Sequence, residues 1–147
     1  MSVLDVQTVL VPVDGSEESI EAVEHAVAVA RRYDAGLHTL YVLGEEVATA
    51  LEAEAVTSEA VADQSEAFMD HVYKRAEDLS VTHSMVRGYS PTRLTVHPGE
   101  VVLDAAVEVD ADFVVMPREP ITGGADRVLE KAAAHVLAHA DQPVLSV

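Results

Sequence analysis

The 147-residue chain contains no cysteine. Disulfides, thiolate metal sites and thiol redox chemistry are excluded, and an intracellular setting fits the composition. Lysine is nearly missing as well: of nine Lys+Arg, two are lysines, Lys74 and Lys131, which leaves seven arginines. Against them stand 26 Asp+Glu, for a formal net charge of −17. Such a surface repels nucleic acid and anionic membranes, so neither is an expected partner. The acids are spread along the chain rather than gathered in a tail, and apolar periodicity runs through them, so this is not a disordered acidic segment. Their mutual repulsion destabilises a compact state at low salt and is screened when salt is abundant, which points to a halophilic protein of a salt-rich cytoplasm. The opening "MSVLDVQTVLVPVD" has no basic residue before its apolar run, and Asp5 and Asp14 bracket a segment too short to cross a bilayer. The expected location is cytoplasmic.

With 49% hydrophobic residues and the length of one typical domain, the chain is expected to fold as a single unit over residues 1–147. It has no internal repeat. "TVLVPVD" (Thr8 to Asp14) is a β-branched apolar run suited to a central strand buried on both faces. From Glu17 to Tyr33, Ile20, Val23, Ala26, Val27 and Ala30 recur at helical spacing, with Ser16 as N-cap and Arg31 and Arg32 favourable at the end. "GLHTLYVLG" (Gly36 to Gly44) is a second strand. Glu45 to Leu79 reads as a long helix interrupted near Thr57 and Ser58, or with its first half as a mobile loop. Two strand pieces follow, Val81 to Arg87 and Arg93 to His97, of which one is needed in the sheet; Pro98 to Glu100 then opens a helix. "VLDAAVEVDADFVVMP" repeats helix, tight Asp-rich connection and strand, and "QPVLSV" is a last strand with Pro143 at its start or an edge. Alternating strands and helices imply right-handed crossovers, so the fold class is α/β, an open, mostly parallel, Rossmann-like sheet of five strands with helices on both faces. Such sheets bind ligands beyond the carboxyl ends of the strands where strand order reverses, which gathers Asp14, Val42 and the loop after Met116 around one crevice.

"TVLVPVDGSEES", "GLHTLYVL", "VDADFVVMP" and "VLAHADQPVLSV" together resemble the universal stress protein family over nearly the whole chain. The resemblance implies a three-layer sandwich of the adenine nucleotide alpha hydrolase-like type and a homodimer formed by pairing the last strand, Pro143 to Val147, across a two-fold axis. In nucleotide-binding members it also implies Gly-x2-Gly, nine residues, then Gly and Ser or Thr, whose backbone amides and hydroxyl hold phosphates. The corresponding positions here are Pro117, Pro120, Glu130 and Lys131, and all four depart from the pattern. Each proline removes an amide donor and fixes φ, and Glu130 sets a carboxylate where phosphate would lie. On the base side, Asp14 corresponds to an adenine contact and Val42 lies near it; Asp14 reads equally as the polar residue that ends a strand and starts a helix.

Other candidates have two readings each. Gly123 and Gly124 are either a displaced phosphate nest, with Arg118, Arg127 and Lys131 as cations, or a flexible turn whose following helix is capped by Asp126. "HVLAH" sets His135 and His139 on one helical face, a zinc spacing that finds no third ligand here, so no metal is expected. No nucleophile elbow or distinct carboxylate pair is present, so no catalytic residue is assigned and the protein is not expected to be an enzyme. The leading expectation is a stress-associated, non-enzymatic dimer without ATP or another cofactor. The alternatives are an adenine-nucleotide switch or weak ATP hydrolase using Asp14, Val42, Gly123 and Gly124, and an accessory subunit that meets an unknown protein partner through Glu45 to Leu79.

Overall fold

The computed structural model describes residues 5–87, 98–117 and 128–147. In chain order the elements are β1 (Thr8–Val13), α1 (Glu17–Tyr33), β2 (Gly36–Leu43), α2 (Glu45–Glu52), α3 (Ser58–Arg75), β3 (Val81–Arg87), α4 (Pro98–Glu108), β4 (Phe113–Met116), α5 (Val128–His139) and β5 (Val144–Ser146). The strands form one sheet of order β3-β2-β1-β4-β5, parallel throughout. The apolar run of β1 is central, as its double-faced burial requires. Val9, Val11 and Val13 pack with α1 and α3 on one face, and Leu10 joins α4 and α5 on the other. β4 alternates likewise, with Val115 in the first layer and Val114 and Met116 in the second. The result is the expected helix–sheet–helix sandwich.

Local chemistry fixes the ends of these elements. Ser16 accepts the amide of Ser19 at 3.2 Å and starts α1, whose last turn passes into Asp34 at φ 54, a left-handed position that an aspartate tolerates. Arg31 does more than complement the helix end: its guanidinium makes a bidentate pair with Asp78, at 2.9 and 2.8 Å, and donates to the carbonyl of Arg75 at 2.9 Å. That pair pins α1 to the turn after α3, raising the Arg31 pKa and lowering that of Asp78 through their hydrogen bond. Asp112 Oδ2 accepts the amides of Gln7 and Thr8 at 2.9 and 3.1 Å, so the Asp-rich connection before β4 also anchors the start of β1.

The Glu45 to Leu79 segment is helical with an interruption that ends at Thr57 and Ser58, as expected, and its first half is helix rather than loop. Thr57 caps α3 by accepting the amide of Ala60 at 3.0 Å, and Glu54 takes φ 57 in the connection. The third strand is Val81–Arg87; the alternative piece, Arg93 to His97, lies outside the described residues. Between α4 and α5 the contact is close enough to require glycine, since a Cβ built on Gly99 would stand 2.5 Å from the Cβ of His135.

Candidate functional site

Strand order reverses between β1 and β4, so the crevice expected of an open parallel sheet lies beyond Asp14 and Pro117. Asp14 follows the last residue of β1 and is half-buried. Its Oδ1 accepts the Ser16 amide at 3.0 Å, the Ser19 hydroxyl at 2.6 Å and the Ser16 hydroxyl, while its own amide donates to Ser19 Oγ at 2.9 Å. One carboxylate oxygen thus builds the strand-to-helix turn, as the structural reading of this residue requires. The other does not: Asp14 Oδ2 is buried and has no hydrogen-bond partner among the described residues. A buried carboxylate oxygen left so is costly unless something donates to it.

Val42 lies one step past the last β1–β2 pair, Val13 with Tyr41, and is therefore level with Asp14 at the same edge of the sheet. Its side chain is 1% exposed and packs with Leu10 and Leu40 in the core facing α4 and α5, so a ligand at the crevice could meet only its main chain. Pro117 is buried at the end of β4. Arg118, Pro120, Gly123, Gly124, Asp126 and Arg127 lie outside the described residues, as do the side chains of Glu130 and Lys131.

A cavity of about 370 Å³ opens beside Asp14 on the face that carries α1 and α3. Its walls include Gly15, Tyr41 and the face of α3 that bears Gln64, Phe68 and His71 at helical spacing. Tyr41 and Phe68 meet edge to face, with ring centroids 5.9 Å apart and planes at 76°. Gly15, at φ 86, lies against the Tyr41 hydroxyl, which a Cβ at that position would approach to 2.5 Å. Among the described residues no lysine or arginine lines the cavity. Sequence reasoning missed this wall, because Gln64, Phe68 and His71 sit on α3 amid residues that pattern as an ordinary amphipathic helix. The alternation in "GLHTLYVL" was the signal that could have found Tyr41, since it directs Tyr41 and Val42 to opposite faces.

His135 and His139 are adjacent, with ring centroids 4.5 Å apart, and His135 Nε2 lies 2.8 Å from Glu100 Oε1. Among the described residues no group of three His, Asp or Glu is arranged to hold a metal. No helix among them is long and apolar enough to cross a membrane.

A model described as the universal stress protein family matches residues 5–147 of this chain. A universal stress protein of Methanocaldococcus jannaschii, MJ0531, is 28% identical over 144 residues, covering 95% of this chain and 80% of that protein. Among solved structures, the universal stress protein UspA of Lactobacillus plantarum superposes with a TM-score of 0.73 at 19% identity, covering 99% of each chain. A universal stress protein in complex with cAMP superposes with a TM-score of 0.66 at 23% identity and covers 97% of each chain.

Proposed function

The chain belongs to the universal stress protein family, and on that footing we propose that it acts in a stress response as a cytoplasmic, non-enzymatic homodimer that does not hold ATP in its phosphate loop. The observation that carries this reading is the occupancy of four positions: Pro117, Pro120, Glu130 and Lys131 stand where phosphate-binding members have glycines and a hydroxyl. Two amide donors are missing, glycines that would let a backbone come close to an anion are absent, and Glu130 adds a carboxylate at a position the family fills with glycine, within a chain of net charge −17. Catalysis on a phosphoanhydride depends on donors that hold the transferring group, so their loss argues against hydrolysis as well as binding. The dimer is assigned to the open edge of β5, an apolar strand that would otherwise expose unpaired backbone groups.

Restoring the loop tests this directly. The variant Pro117→Gly, Pro120→Gly, Glu130→Gly, Lys131→Ser is expected to bind Mg-ATP at micromolar concentration where the native chain does not. Native binding as tight as that of the variant would contradict the reading. A second reading, an adenine-nucleotide switch, is favoured by the buried unpartnered Asp14 Oδ2 and by the cAMP complex of a similar protein; it requires native binding of a nucleotide that Asp14→Ala abolishes.

A further inference from the structure

We propose that Ser84 is a nucleophilic serine activated by His38, and that it accepts an acyl group from an uncharged activated ester. The two residues lie on adjacent strands, β2 and β3, on the sheet face that carries α4 and α5. His38 alternates with Leu40 and Val42, which belong to the core of that face, and Thr82 and Ser84 alternate with Val86, which packs against it. Parallel pairing sets His38 opposite Thr82, and Ser84 is the next residue of β3 on the same face. One imidazole therefore spans two hydroxyls.

The arrangement has the parts that activate a serine hydroxyl. Nucleophile and base are within hydrogen-bond reach, with Ser84 Oγ 2.8 Å from His38 Nε2. A third group orients the base: Thr82 Oγ1 lies 2.7 Å from Nδ1. With the ring proton on Nδ1, that nitrogen donates to Thr82 and Nε2 accepts from the Ser84 hydroxyl. The base is sheltered while the nucleophile is open. His38 is 8% exposed, whereas Ser84 is exposed on β3, the edge strand among the described residues. Burial, and after it His83, lowers the pKa of His38 against the opposing pull of Glu108, so the ring is neutral and able to take a proton near neutral pH.

The step needs no cofactor and no oxidant. As Ser84 Oγ attacks the carbonyl carbon of the ester, its proton passes to His38 Nε2. The bond from that carbon to the leaving aryloxide or alkoxide breaks, and the leaving oxygen takes the electron pair. The proton then passes from His38 to solvent, and Ser84 carries the acyl ester. The donor is uncharged because Glu108 and a net charge of −17 disfavour an anionic one. Ser84 lies inside β3 rather than at a strand-to-helix turn, the place where a nucleophile finds backbone donors for the oxyanion. Acylation is therefore a single event per chain rather than a turnover, and it is compatible with the non-enzymatic reading above.

The test treats the native protein at fixed high salt with p-nitrophenyl acetate, and reads both the nitrophenolate released and the masses of proteolytic fragments. A burst of one nitrophenolate per chain should appear, and the acetyl group should lie on the fragment that holds Ser84. The burst rate should follow the neutral form of His38 and level off above about pH 6.5. His38→Gln should slow acetylation of Ser84 by about 100-fold, the lower end of what a positioned base contributes. Ser84→Ala should remove the burst with circular dichroism unchanged. Acetyl groups on Lys74, Lys131 or other histidines with none on Ser84 would overturn the proposal, and that outcome needs no variant to fold. So would a rate for His38→Gln equal to that of the native protein.

Discussion

His38 Nδ1 stands 2.7 Å from the hydroxyl of Thr82, its direct partner across the β2–β3 ladder, and its Nε2 stands 2.8 Å from the hydroxyl of Ser84. A neutral ring meets both hydroxyls, one nitrogen accepting and the other donating. Burial, and after it the neighbouring His83, hold the His38 pKa below its ordinary 6.5, against the opposing pull of Glu108. The folded value lies below the unfolded one, so the stability His38 contributes is fully present above about pH 6.5 and is lost as pH falls from there through the folded pKa. Melting curves at fixed salt from about pH 7.5 down to about pH 5 should show a steeper loss for the native protein than for His38→Gln. At the upper pH the substitution should cost about 1 kcal/mol. Identical acid slopes would remove His38 from the account.

The outline of the sheet was legible because β1, α1 and β2 carry strong local signals: a β-branched run, a capping serine with acids behind it, and alternation into a second strand. The break before α3 was also legible, at Thr57, although the helical state of residues 45–52 was not separable from a loop in an Ala- and Glu-rich stretch. The site was half legible. Asp14 was found from its place after β1, but its division into one occupied and one unpartnered oxygen depends on where Ser16 and Ser19 fall in space. The aromatic wall was not legible, since Tyr41 and Phe68 are distant in sequence and their contact is a product of packing.

Repulsion among surface carboxylates predicts a salt-dependent fold. The screening length shrinks from about 10 Å at 0.1 M to about 3 Å at 1 M salt. The melting temperature should rise by more than about 5 °C over that range, the shift that about 1–2 kcal/mol produces in a domain of this size. A melting temperature unchanged by salt would contradict the expectation, drawn from the charge count, of a protein adapted to high salt.

Edge chemistry predicts how the proposed dimer can be broken. Pro143 accepts from Val114 and Val147 donates to Met116, both at 3.0 Å, so alternate residues of the strand, Val144 and Ser146, turn their backbone groups to the open edge. Ser146→Pro removes an edge donor and leaves the bonds to β4 in place. Light scattering at high salt should give twice the chain mass for the native protein and a single chain mass for this variant, with little change in its circular dichroism. A native monomer would exclude the β5 interface.

The central claim is that this member of the family does not hold a triphosphate, and the most direct measurement is calorimetric titration of the native protein with Mg-ATP at about 1 M salt, where the fold is screened and stable. The account predicts no saturable heat up to about 1 mM ATP, a limit that corresponds to about −4 kcal/mol of binding. Saturable binding at micromolar ATP, lost on Asp14→Ala, would contradict it and show that the crevice beside Asp14 still works as a nucleotide site.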